Sequence, residues 1–442
     1  MKQSFLKRHW NIIYLLPLIC GVLVILFSLI FNPLLIRKYI SVDQNIEPTT
    51  VTNIYLVEVF FFLVGLAFLY LSRSLQSYDN SKERKVVDFF IRSAAIIFAV
   101  VLVEFGLRKI NQIKPFNRDR HAFFQYDEVL GWKHLPGKTT SLKNTLVRIN
   151  SKGLRDDEFP EKKPTGEYRI LFLGDSQLFG DGVEAKDTFV SILESSLSSM
   201  QAINAGVIGY GTDQQLLYLQ REGLNYEPDL VIVALNVYDF QDNVSKKIRS
   251  GYSKPVFKIQ NDALQLTGIP VQRFDIIERL GKYMRNNYQT YYLSSEYFRG
   301  LFNNAEVNAQ ENQHNLSSEL LAIFDQKNVQ TVTQRILKEI AWQSRKVGVQ
   351  TAVIFLPYQI YFNSSLEYKR KIDEVSQNLQ AYGMQNGFFF VDLHPELNNI
   401  PVSDVFLDEM HFNKKGNTIV ANIIAEKLLS IVDVPVSVTN RF

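Results

Sequence analysis

From Arg169 onward, short β-branched runs alternate with stretches of helical period. Arg169–Leu173, Gln201–Asn204, Asp229–Leu235, Gln350–Leu356 and Gly387–Val391 read as strands. Thr188–Ser199, Asp213–Glu222, Val329–Lys346, Ser365–Asn386 and Lys415–Ile431 read as helices. Such alternation implies a parallel sheet covered by helices on both faces, an α/β fold. Ligands of these sheets bind beyond the carboxyl ends of the strands. Ser176, Tyr210, Asp239 and Pro357 each fall just past an expected strand end, which predicts that they share one rim.

The rhythm lapses between about residues 245 and 328, a stretch rich in Tyr, Asn and Gln that includes Tyr288-Gln-Thr-Tyr-Tyr-Leu-Ser-Ser-Glu-Tyr-Phe298. It is longer than an ordinary loop and reads as a helical insertion or lid within a domain spanning 168–442. Its tyrosines suit packing onto the main body, or stacking on a sugar ring or acyl chain. Residues 108–167 read as a mostly extended connector, with turn signals at Pro136-Gly137 and Lys152-Gly153.

Residues 1–107 have another character and read as a membrane anchor of three transmembrane helices, at about 10–36, 51–72 and 89–107. Trp10 to Ile36 carries no charge and exceeds the ~20 residues a bilayer requires. It is also too long for the core of a cleavable signal peptide. The second span holds Glu58 near one end, and the third is bracketed by Arg92 and Glu104. Lys2, Lys7 and Arg8 precede the first span, and Arg73, Lys82, Arg84 and Lys85 separate the second from the third. Only Arg37 and Lys38 separate the first two. That bias puts the N-terminus in the cytoplasm and the large domain outside it. Arg108, Lys109, Lys114, Arg118 and Arg120 argue the other way, and a merely interfacial third segment would leave the domain cytoplasmic. Charges leading into a long translocated domain weigh less, so three spans are expected.

The formal charge of +3 over 442 residues gives a nucleic-acid partner no electrostatic support. Cys20 is the only cysteine, which rules out an intrachain disulfide and a thiolate metal site. His9, His121, His134, His314 and His394 are scattered without ligand spacing, so neither a metal nor another cofactor is expected.

Two segments carry chemistry. In Leu171-Phe-Leu-Gly-Asp-Ser-Gln-Leu-Phe-Gly-Asp-Gly-Val183, an apolar strand stops at Gly174 and presents Asp175 and Ser176 on a turn. In Leu407-Asp-Glu-Met-His411, a carboxylate precedes an imidazole by three residues. A serine hydroxyl is a poor nucleophile until an imidazole takes its proton and a carboxylate holds the imidazole in the right tautomer. Taken singly, Asp175-Ser176 also suits a turn and helix cap, and Asp408 the start of the last helix, with His411 on the surface. Their joint occurrence on a matching sheet favours Ser176, His411 and Asp408 as nucleophile, base and orienting acid.

These blocks resemble the SGNH or GDSL-type serine hydrolases over about Asn150 to Leu429. Gly174-Asp175-Ser176 is similar to the nucleophile block. Asn204-Ala-Gly-Val-Ile-Gly-Tyr-Gly-Thr212 is similar to the second block, with Gly209 at the oxyanion glycine. Asp408-Glu-Met-His411 is similar to the final block. Asp127-Glu-Val-Leu-Gly-Trp132 and Asn150-Ser-Lys-Gly-Leu-Arg155 further resemble the lead-in of membrane-anchored bacterial members. The resemblance implies a three-layer α/β/α, flavodoxin-like parallel sheet and an oxyanion hole that includes the Ser176 and Gly209 backbone N–H groups. One block departs from the pattern. In Ala234-Leu-Asn-Val-Tyr-Asp-Phe-Gln-Asp-Asn243, aligning Asp239 with the family aspartate puts Tyr238 where the family has its oxyanion Asn, with Asn236 and Asn243 as nearby substitutes.

The resemblance implies a serine esterase or O-acyltransferase of the bacterial inner membrane, acting outside it on acyl, chiefly acetyl, esters of cell-envelope or exported polysaccharide. A separate multi-span protein would supply the acyl group to a transferase. Two rivals stand beside it. One is a catalytically weak or inactive envelope component that binds polysaccharide or a membrane complex, favoured by Tyr238. The other is a lipase-like hydrolase on membrane lipid.

Overall fold

The structure, a computed structural model, describes residues 123–143, 145–197, 200–248, 252–272, 320–324 and 328–431, with the single positions 22, 104, 318 and 326. Those single positions apart, the three expected spans, the start of the connector and residues 273–317 of the expected insertion lie outside the described residues. Among the described residues, no helix is long and apolar enough to cross a membrane. The chain divides into two compact units, residues 1–118 with 276–306 and residues 119–275 with 307–442; all described residues but 22 and 104 belong to the second.

Part of the stretch read as an extended connector forms two antiparallel hairpins. β1 (Phe124–Asp127) pairs with β2 (Gly131–His134), and β3 (Thr139–Leu142) with β4 (Thr145–Arg148). Then come β5 (Tyr168–Gly174), β6 (Met200–Gly206) and β7 (Leu230–Leu235). A third hairpin, β8 (Val256–Gln260) with β9 (Ala263–Thr267), lies where the alternation lapses. β10 (Gln350–Phe355) and β11 (Phe389–Asp392) follow. The helices are α1 (Ser176–Phe179), α2 (Phe189–Ser196), α3 (Thr212–Arg221), α4 (Val237–Asp242), α5 (Val329–Lys346), α6 (Gln359–Asn363), α7 (Leu366–Asn386), α8 (His394–Leu397), α9 (Val402–Val405) and α10 (Lys414–Ile431).

β6, β5, β7, β10 and β11 form one parallel sheet in that spatial order, the flavodoxin-like arrangement. Side chains alternate across it. Leu171, Leu173, Val231, Val233 and Phe355 pack with Leu216, Ile336, Ile340 and Ile372 of α3, α5 and α7. Ile170, Phe172, Ile232 and Ile354 pack with Phe189 and Leu193 of α2 and Val420 and Ile424 of α10. The two buried faces make three α/β/α layers. Each face removes most of its apolar area from water, worth roughly 25 cal/mol per Å². The chain runs from β5 outward to β6 and then back across to β7, so the β5–β7 boundary is the switch point beyond which such sheets open a crevice. Ser176 and Asn236 sit just past the ends of those two strands.

Candidate active site

Gly174 ends β5, and Asp175 turns the chain into α1. The Asp175 carboxylate accepts the Gln177 backbone N–H at 2.9 Å, so it does cap the helix. Its other oxygen accepts the Asn236 side-chain amide at 3.0 Å, which joins the ends of β5 and β7. Burial raises the Asp175 pKa, against the bonds from Gln177 and Asn236 and the nearby His411. Ser176, half-buried, is the first residue of α1, and Gln177 anchors that helix to the loop after β10 by donating to the Pro357 carbonyl at 3.0 Å.

The loop between α9 and α10 brings the other two groups. Asp408 Oδ1 accepts the backbone N–H groups of Met410 and His411, both at 2.9 Å, so the carboxylate wraps its own turn. The last helix begins at Lys414, and Asp408 is therefore not its cap. His411 is buried and its ring Nδ1 lies 2.8 Å from Asp408 Oδ1, while Nε2 lies 2.9 Å from Ser176 Oγ. With Nδ1–H donated to the carboxylate, Nε2 presents its lone pair to the serine hydroxyl. Three residues up to 235 positions apart thus form one hydrogen-bonded line, able to move a proton off Ser176. Burial acts to raise the Asp408 carboxyl, but His411 and Lys143 outweigh it and hold the group well below the usual carboxylate range.

The donors expected for an oxyanion fall into two classes. The first N–H of α1, at Ser176, has no carbonyl within its own helix to pair with. Gly209 lies in the turn after β6, with a φ of +81° that only glycine adopts readily, and is half-exposed among buried neighbours. The indole of Trp132 holds that turn by donating to the Ile208 carbonyl at 3.1 Å, and Tyr210 returns a hydrogen bond to the Trp132 carbonyl at 2.5 Å. The side chains differ. Asn236 is buried, caps α4 through the Tyr238 N–H at 2.9 Å and binds Asp175, so it serves the fold. Asn243 donates to Thr212 and Thr333 and accepts the Asp213 N–H, with no exposure at all. Tyr238 is mostly buried with its ring leaning on Tyr358, centroids 5.3 Å apart. Asp239 accepts the Asn236 backbone N–H at 2.8 Å, and burial next to Asp175 raises its pKa well above normal.

Sequence reasoning missed two charged residues here. Lys143, at the tip of the β3–β4 hairpin, places its ammonium 2.8 Å from Asp408 Oδ2 and 3.3 Å from Asp181 Oδ2. Its φ of +47° is what a two-residue hairpin connection demands, at a cost to a residue with a side chain of about 1 kcal/mol. Asp181 follows α1 and lies 3.7 Å from His411 Nε2. Arg155 fixes that loop by donating to the carbonyls of Phe179, Gly180 and Val183 at 2.6–2.9 Å. Burial lowers the Arg155 pKa to about 10, with Asp181 and Glu184 opposing the shift. A lysine in a short hairpin reads as a solvated turn residue, so no signal in the sequence marks it.

Of the other histidines, His394 donates from Nδ1 to the Asp392 carboxylate at 2.7 Å inside the core, apart from the Ser176 line. No group of His, Cys, Asp and Glu suited to a metal occurs among the described residues.

No curated protein matches the chain at a significant level. Among solved structures, a catalytic mutant of Axe2, an acetylxylan esterase from Geobacillus stearothermophilus, is similar at 10% identity and a TM-score of 0.35, over 60% of this chain and 95% of that one. LAE5, an alpha/beta hydrolase enzyme from the metagenome of Lake Arreo, Spain, is similar at 12% identity and a TM-score of 0.33, over 58% and 94%. The family model described as GDSL-like Lipase/Acylhydrolase matches residues 172–419, a span that includes Ser176, Gly209, Asp408 and His411. That match covers more than half of the 442 residues, and the chain belongs to the GDSL-like lipase/acylhydrolase family.

Proposed function

We propose that this protein is a membrane-tethered serine esterase or O-acyltransferase that acts on acetyl or similar acyl esters of cell-envelope or exported polysaccharide, outside the inner membrane. The observation that carries the chemistry is the line Ser176 Oγ–His411 Nε2 at 2.9 Å and His411 Nδ1–Asp408 Oδ1 at 2.8 Å. Tethering rests on the uncharged stretch Trp10–Ile36.

In this reading Ser176 Oγ attacks the ester carbonyl carbon as its proton passes to His411 Nε2. The oxyanion takes N–H donors from Ser176 and Gly209. The C–O bond to the leaving alcohol breaks as Nε2 returns its proton to that oxygen, leaving an acyl group on Ser176. Water or a sugar hydroxyl then gives its proton to Nε2 and attacks the acyl carbon, and the bond to Ser176 Oγ breaks as Nε2 returns that proton to Oγ, which restores the enzyme. Asp408 stays ionised throughout and steadies the imidazolium. Water as acceptor makes an esterase, and a sugar hydroxyl makes a transferase fed by a separate membrane protein.

A specific observation favours the weakly active or inactive alternative. With Asn236 and Asn243 engaged within the fold, neither replaces the family's oxyanion Asn, where this chain has Tyr238, and loss of one such donor costs ~3–4 kcal/mol. The test is turnover of a chromogenic acetyl ester by the purified full-length protein, comparing wild type with Ser176→Ala and His411→Ala. Turnover confined to wild type supports the proposal. Equal turnover in all three sinks it, and binding of acetylated glycan without any turnover would favour the inactive component.

A further inference from the structure

We propose that Lys143, countered by Asp181, is a positioning residue for this chemistry: it fixes the Asp408 carboxylate and sets how readily His411 takes the Ser176 proton. The inference rests on the reading of Ser176, His411 and Asp408 given above, and it concerns two residues outside the family's motif blocks.

The geometry is that of a built site. The Asp408 side chain stays about a third exposed (32%) with Lys143 in place, so one side of the carboxylate meets water. Lys143 binds Oδ2 at 2.8 Å while Oδ1 takes the turn's two N–H groups and the imidazole. The lysine side chain is itself 9% exposed and the Asp181 side chain 0%. A cation so far out of water needs carboxylate partners, and the structure supplies one on each side. The hairpin that carries the lysine is wedged in place, with Leu142 and Val147 packed against Phe179 of α1 and Ile208 beside Gly209. Gly182, at a φ of +100°, lets the Asp181 loop lie against Leu407 and the stem of Lys143, where a Cβ would come within 2.3 Å of Leu407.

The charges act on the two ring nitrogens in opposite senses. The Lys143 ammonium stands 3.4 Å from His411 Nδ1 and shares the carboxylate with it, which disfavours the imidazolium. Asp181 Oδ2 stands 3.7 Å from Nε2, the atom where the Ser176 proton arrives, and favours it. The remaining charged neighbours are Asp408 on the histidine's own loop, Asp175 beneath Ser176 and Arg155 behind Asp181. A hairpin and a loop thus set one charge beside each ring nitrogen.

The test uses the full-length protein and the variants Lys143→Met, Lys143→Arg, Asp181→Asn and the double Lys143→Met/Asp181→Asn. Two readouts are taken: kcat/KM on a chromogenic acetyl ester from pH 5 to 9, and the His411 ring titration by NMR, which needs no turnover. Lys143→Met should move the acid limb and the titration midpoint up by about 0.5–1 pH unit and lower the plateau kcat about tenfold. Lys143→Arg should restore most of the plateau. Asp181→Asn should shift the midpoint down, and the double variant should bring it back to within about 0.3 unit of wild type. An unchanged midpoint in folded Lys143→Met overturns the inference, even if activity falls, because a purely structural role predicts that pattern. Should Lys143→Met fail to fold, an Asp181→Asn midpoint that stays put or rises overturns it equally. A wild type without esterase activity tells against the reading of Ser176, whereas the titration still judges Lys143.

Discussion

Gly206 closes β6 against the backbone of α1, and adding a single methyl there tests how tightly catalysis depends on that packing. A Cβ on Gly206 would lie 2.5 Å from the Phe179 nitrogen and 2.9 Å from the Leu178 carbonyl carbon. Ordinary contact begins near 3.4 Å, so α1 or the end of β6 must give by about 0.9 Å. The obstacle is helix backbone rather than the tip of a side chain. Asn204 further ties β6 to that helix, donating to the Leu178 carbonyl at 2.9 Å. Overpacking of this kind costs about 1–3 kcal/mol. Ser176 opens the same short helix, and a displacement near 1 Å takes its hydroxyl out of line with His411. The expected loss in kcat for Gly206→Ala is about a hundredfold. Gly223→Ala is the control: its Cβ meets the end of the Leu171 side chain at 2.8 Å, which can yield, and it lies in the turn that follows α3. Urea unfolding and chromogenic-ester kinetics on both full-length variants give the answer. Folded Gly206→Ala with kcat within threefold of wild type would refute the reasoning.

Other perturbations probe other parts of the account. His134 is sealed among Phe123, Phe124 and Phe179, and burial lowers its pKa to about 3, so protonation opposes folding. Its depressed pKa means that the unfolded chain binds the extra proton between about pH 6.5 and 3, and stability falls as pH drops through that window. Going from pH 7 to 5 should cost wild type about 2 kcal/mol through this group, and His134→Phe should flatten that slope in urea titrations; an unchanged slope would contradict it. Lys254 and Asp213 form an ion pair with no exposure of either side chain, and Lys254 also donates to the carbonyls of Asp242 and Pro255. Lys254→Met should destabilise by about 3–5 kcal/mol, because it strands a buried carboxylate. Lys254→Met/Asp213→Leu should recover much of that in the same unfolding assay, and an additive loss would contradict it.

Much of this architecture was legible because parallel strands buried on both faces are apolar throughout. Leu230–Leu235 contains no polar side chain, and Ile170–Leu173 likewise. The period of Val329–Lys346 was equally plain, and the helix spans those residues. Ser176 was legible because it falls just past an expected strand end, and His411 because a carboxylate precedes it by three residues. The elements that escaped notice are short. α1 and α6 are about one turn long, too brief for a 3.6-residue period to register. Hairpins β1–β2 and β3–β4 read as extended chain, which their strands are; only packing reveals that Trp132 fills the core beneath the Gly209 turn. The roles of Asn243 and Asn236 turned on partners far along the chain, such as Thr333 and Asp175. The same distance hid Lys143, 265 positions from the carboxylate it holds.

Covalent labelling of Ser176 tests most directly whether this hydroxyl is a nucleophile driven by His411. A fluorophosphonate probe is applied to the full-length protein, and the modified residue is located by mass spectrometry in wild type, His411→Ala and Asp408→Asn. The account predicts an adduct on Ser176 in wild type, formed at least about a hundredfold more slowly without the imidazole and at an intermediate rate in Asp408→Asn. Equal labelling rates with and without His411, or an adduct on a different residue, would contradict it.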